Sequence, residues 1–128
     1  NTGHAGSMST IHANSSLDCL SRIETCALLS GIDIPLSALR SQVASAIDVV
    51  VHTARLSDGS RKITAVSEVL GLKDGEYVVK DLYRFNVRGI GPDGSLDGAF
   101  AGTGHKPSFL QEAALRNMPL DESMFEVS

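Results

Sequence analysis

The sequence predicts an α/β chain: a short strand, two helices, an antiparallel three-stranded meander, a glycine-rich loop and a C-terminal helix. Three observations predict it. Apolar residues recur at helical spacing between positions 17 and 47, and three β-branched runs follow with Asp-Gly turns between them. Six of the twelve glycines then fall between positions 89 and 104. At 128 residues the chain has the length of one ordinary domain, or of a piece of a larger one.

Taken in order, Thr10-Ile11-His12-Ala13 alternates like a strand leaving a Gly/Ser-rich start. Asn14-Ser15-Ser16 supplies helix N-caps, and Asp18 puts a negative charge in the first turn. Leu17, Leu20, Ile23, Ala27 and Leu28 form the apolar stripe of this helix, which Gly31 stops. Pro35 opens a second helix with Leu36, Leu39, Val43 and Ile47 as its buried positions. The period then changes to that of strands: Val49 to Leu56, Lys62 to Leu70, and Tyr77 to Val87. Asp58-Gly59 and Asp74-Gly75 separate these runs, a hairpin signal because glycine accepts positive φ. Residues 89–104 read as a loop, with a short strand at Ala99-Phe100-Ala101. Pro107 starts a final helix to Met118, with Phe109, Leu110, Ala113 and Ala114 facing inward, and an acidic tail follows.

Composition narrows the function. Hydrophobic residues are 42% and charged residues 20%, which is globular, and the net charge is −4. A surface of that balance with 5% aromatic residues disfavours nucleic acid as a partner. Cys19 and Cys26 share the first helix, where seven residues of rise separate them by roughly 10 Å. That exceeds the roughly 7 Å a disulfide spans, so a reduced, cytosolic chain is expected. The chain begins Asn1-Thr2-Gly3-His4 without an initiator Met, so processing or excision from a longer protein is expected.

Gly89-Ile90-Gly91-Pro92-Asp93-Gly94 matches G-x-G-x-x-G literally, but a dinucleotide fingerprint needs a helix directly after the glycines. Here a Pro-Asp-Gly turn intervenes, and the match reads as chance. No Walker A sequence, G-x-x-x-x-G-K-[ST], occurs in the chain. The segment from Thr2 to Asn14 concentrates two histidines, four hydroxyls and two glycines in thirteen residues. Small residues admit an anion to the backbone, hydroxyls donate to phosphate oxygens, and imidazole works near neutral pH. On composition alone, the same segment also reads as a polar terminal loop. A metal site is not expected, since His4 and His12 lack a third ligand nearby.

Thr2-Gly3-His4-Ala5-Gly6-Ser7-Met8-Ser9-Thr10-Ile11-His12-Ala13-Asn14 resembles the His box of the type II/IV secretion ATPase superfamily. Its wording is similar to that of the CpaF/TadA-type ATPases of Flp (tight-adherence) pilus assembly. Further along, Leu20-Ser21-Arg22-Ile23-Glu24 resembles the family's L-S-R-L-E, and Asp58-Gly59-Ser60-Arg61-Lys62-Ile63 its D-G-S-R-K-I. Glu68-Val69 with Gly71 looks like an E-V-x-G element, and Gly102-Thr103-Gly104 with Pro107-Ser108-Phe109 like a terminal T-G-x-x-P-x-F. The likeness is colinear and covers nearly the whole chain.

The resemblance implies the C-terminal part of a RecA-like P-loop ATPase domain, spanning residues 1–128. It implies a cytoplasmic homo-hexamer, peripheral at the inner face of the bacterial membrane, that works with inner-membrane secretion or pilus platform proteins. ATP and Mg2+ would be bound by the full-length protein, with the P-loop lysine, the magnesium-binding group and the catalytic glutamate upstream. The isolated chain is expected to be inactive. On this reading His4 and His12 are the catalytic sensors of the γ-phosphate, and Gly6, Ser7 and Thr10 bind the nucleotide. Arg22 is either a subunit-interface residue or the i,i+4 partner of Asp18. Two alternatives remain open from the sequence: a non-catalytic oligomerisation or docking module, and an autonomous phosphate-binding domain.

Overall fold

Local signals set the two helices where the spacing places them. In the computed structural model, which describes residues 6–127, helix α1 spans Ser16–Leu29 and helix α2 spans Leu36–Ala46. Ser15 caps α1, its hydroxyl accepting the Asp18 N–H at 3.0 Å, and Pro35 stands just ahead of α2. Four strands follow: β1 Val49–Arg55, β2 Arg61–Lys73, β3 Glu76–Ile90 and β4 Leu96–Gly102. They form one sheet in the order β1-β2-β3-β4, antiparallel throughout. The β2–β3 turn is built as its Asp-Gly pair predicts, with Asp74 at φ 53° and Gly75 at φ 79°. A short helix α3, Leu110–Leu115, and a single 3-10 turn, Glu122–Phe125, complete the chain.

The core lies between the helical pair and the sheet. Leu20, Leu39, Val43, Val50 and Val69 are buried together, with Ile23, Ala27, Ile34, Ile47, Tyr77 and Val79 packed around them. Leu17, Leu28 and Leu36, expected in the stripes, are exposed at the margins of the contact.

Four sequence expectations change. Thr10–Ala13 is not a strand: a strand needs a neighbour for its backbone groups, and none pairs with these residues among those described. The meander has four strands, not three. The short strand expected at Ala99–Ala101 within the 89–104 loop is the middle of β4, and only 91–95 turn. Its glycines are dictated by close approach. A Cβ on Gly98 would lie 2.8 Å from the Phe85 ring, and one on Gly102 would meet the backbone of Phe125 and Glu126.

The final helix is shorter than the expected 107–118 because Asn117, at φ 59°, ends it on the left-handed side. Phe109, Leu110 and Ala113 are half-buried there, whereas Ala114 is exposed. Finally, the sheet is antiparallel only, so the described residues form a mixed α/β chain without the parallel strands of a RecA-like core. The glycine match at 89–94 runs from β3 through a turn into β4, with no helix at its end.

Candidate functional site

The end of the opening segment meets the sheet at a cleft of about 540 Å³, between Asn14–Leu17 on one side and His52, Lys80, Arg84 and His105 on the other. Its floor is a polar chain. Ser67 Oγ, fully buried, donates to Asp81 Oδ1 at 2.6 Å. Its one proton is thereby used, so the buried Ser16 hydroxyl donates to Ser67 Oγ at 2.8 Å. Arg84 closes the chain on Asp81 Oδ2, with Nε at 2.9 Å and a terminal nitrogen at 2.8 Å. These bonds lock α1 to β2 and β3 and fix the position from which the opening segment departs.

A second polar centre stands behind the cleft. The Glu68 side chain is 3% exposed and accepts the Ser108 N–H at 2.9 Å, the Ser108 O–H at 2.5 Å and His105 Nε2 at 3.1 Å. A buried carboxylate is tolerable because donors surround it in this way. The Thr103 hydroxyl adds a bond to the Asp81 carbonyl at 2.5 Å. The Glu68-Val69 and Thr103–Ser108 elements, separate in sequence, are thus one structural unit.

Elsewhere, Glu24 on α1 accepts Arg40 Nε at 2.9 Å and the Tyr77 hydroxyl at 2.5 Å. Burial, and then the bond to Glu24, push the Tyr77 hydroxyl far above its ordinary pKa. Arg40 therefore joins α2 to α1 and also reaches the Gly75 carbonyl at 3.2 Å.

His4 lies outside the described residues. Gly6, Ser7, Thr10 and His12 are exposed, in backbone without regular structure, and among the described residues their side chains meet no hydrogen-bond partner. Hydroxyls, an imidazole and glycine of this kind fit phosphate oxygens. They include no carboxylate, and no group of three His, Cys, Asp or Glu among the described residues could hold a metal. Arg22 lies 3.0 Å from Asp18 in the i,i+4 arrangement, with its side chain half-exposed. The Asn14 N–H first, and then the Arg22 guanidinium, hold the Asp18 carboxyl below the usual carboxylate range. Cys19 and Cys26 are both free, and burial pushes the Cys19 thiol up. No helix among the described residues is long and apolar enough to cross a membrane.

Sequence reasoning missed His52. It lies in β1, where its Nε2 is 3.2 Å from the Ala13 carbonyl and its Nδ1 is 2.7 Å from Thr64 Oγ1. A single histidine inside a β-branched run carries no spacing signal. Only the fold brings it to the end of the opening segment.

No protein-family model matches the chain. It is 39% identical over 67 residues to proteins from two strains of Mycobacterium tuberculosis that carry a provisional name as conjugal transfer proteins. The match covers 52% of this chain but 18% of each relative, so the chain is similar to a limited part of these longer proteins.

Proposed function

We propose that this chain is the C-terminal segment of a hexameric ATPase that powers type II/IV secretion, conjugal transfer or Flp pilus assembly. In the full-length protein, ATP and Mg2+ are held by residues upstream, at the cytoplasmic face of the inner membrane. Residues 4–12 touch the γ-phosphate: Gly6, Ser7 and Thr10 donate to it, and His4 and His12 register its presence. The similarity to conjugal transfer proteins supports a place in such a machine. The observation that supports the mechanism is the exposure of residues 6–12, with their small, hydroxyl and imidazole groups, in the segment that runs into the cleft at Asn14. Loss of the phosphate on hydrolysis removes an acceptor and frees the segment, which biases a two-state motion.

The test is phosphate release by the full-length protein. His12→Ala should leave ATP binding nearly unchanged and lower kcat about a hundredfold, the scale of losing one positioned transition-state donor. Turnover at the wild-type rate in that variant would remove His12 from the mechanism. Purified residues 1–128 should release no phosphate.

A further inference from the structure

The peptide group between Ala13 and Asn14 is held at both of its polar atoms. Its carbonyl accepts from His52 Nε2–H at 3.2 Å, and its N–H donates to Asp18 Oδ2 at 2.8 Å. The two partners come from different elements, β1 and α1. Each is itself fixed. Asp18 is bound by Arg22 Nε at 3.0 Å, and its own N–H reaches Ser15 Oγ at 3.0 Å. The carbonyl of Ala13 can only accept, so Nε2 of His52 carries a proton. A neutral ring then takes the Thr64 hydroxyl proton at Nδ1, 2.7 Å away on β2 and closer than the His52 carbonyl, which the same hydroxyl faces at 3.2 Å. Immediately before this peptide, residues 6–12 are exposed.

We propose that His52 is a positioning residue that clamps the carbonyl end of the opening segment to the sheet, making the Ala13–Asn14 peptide its pivot. This rests on the phosphate-sensing reading above. Clamping both atoms stops the peptide plane from rotating, so the first free torsions lie at Ala13. Seven residues beyond the pivot, 6–12, reach up to roughly 25 Å when extended. A small rotation at the pivot therefore becomes a displacement of several ångströms at Gly6 and Ser7, too large for hydrogen bonds to one phosphate to survive. Through Thr64, movement of the segment is also tied to the β1–β2 pairing.

The experiment uses the full-length protein with ATP. His52→Ala should speed hydrogen exchange of the Asn14 amide about fivefold, the scale of one neutral hydrogen bond lost. It should lower kcat about tenfold with little change in KM, and His52→Gln, whose amide N–H can reach the Ala13 carbonyl, should restore both. Thr64→Val leaves the ring in place but loosens its orientation. It should move the same two readouts in the same direction by about twofold, which keeps the test open if His52→Ala misfolds. Unchanged Asn14 exchange in folded His52→Ala, or in Thr64→Val, overturns the clamp. Faster exchange with wild-type turnover supports the clamp and overturns the sensing role on which its functional part rests.

Discussion

The helical pair and the C-terminal return, residues 103–127, are attached to the same sheet by opposite means. The helices bury Leu20, Leu39 and Val43 against Val50 and Val69, a contact that is mainly apolar and non-directional. The C-terminal return is held chiefly by named polar bonds: Ser108 and His105 to Glu68, Thr103 to Asp81, and Tyr83 to the Met124 carbonyl at 2.6 Å. Phe125, beside Tyr83, is its one buried large apolar side chain. Apolar packing spreads its free energy over many weak contacts and loses it all at once. A polar anchorage concentrates it in a few groups, so one substitution can release a segment while the rest stays folded.

The largest test of that contrast is Leu20→Ala. The side chain is 0% exposed, so the substitution should cost about 2–5 kcal/mol and lower the midpoint of global unfolding in urea. Next is Glu68→Ala, which strands the Ser108 N–H and hydroxyl and the His105 ring. About 2–3 kcal/mol should be lost, and hydrogen exchange should rise first in residues 105–115 rather than in α1 or α2. Equal acceleration throughout the chain would erase the distinction between the two attachments. Gly98→Ala should cost about 1–3 kcal/mol, because its new methyl meets the Phe85 ring and the Asn86 carbonyl. Exchange should then rise along β4 ahead of the helices.

The smallest effect concerns acid. The Asp58 carboxyl is lowered to about 2, first by the Leu96 N–H, then by the hydroxyl and N–H of Ser60. With the unfolded chain nearer the ordinary aspartate value of 3.8, the unfolded state binds more protons between these values. Stability therefore falls as pH drops through this window, and the contribution is gone below about 2. The Leu96 amide resonance should titrate there in the wild-type protein and stay flat in Asp58→Asn.

Much of this architecture was legible in the sequence, for reasons that also mark where reading stops. Leu20, Leu39 and Val43 announce their helices by periodicity, and Asp74-Gly75 announces its turn by backbone chemistry. Both signals are local. Only the middle of β4, Ala99–Ala101, was legible, because Gly98 and Gly102 answer to Phe85 and Phe125, partners that only the folded chain supplies. The strand expected at Thr10–Ala13 shows the converse error, since alternation cannot say whether a neighbour exists. At the candidate site, Gly6, Ser7, Thr10 and His12 were singled out by composition and resemblance, signals carried by the sequence itself. His52 and the Glu68–Ser108 bond required distances across the fold.

The long hairpin has a mechanical consequence. Strands β2 and β3 run 13 and 15 residues, roughly 40–50 Å if straight, and their far ends carry the two neighbouring turns that Asp58 and the Leu96 N–H join at 2.9 Å. Because ladder bonds lie across the strands, force along the hairpin shears all of them together, and the arm is stiff in that direction. Force that prises its tip apart meets them one at a time, beginning with the Asp58–Leu96 latch.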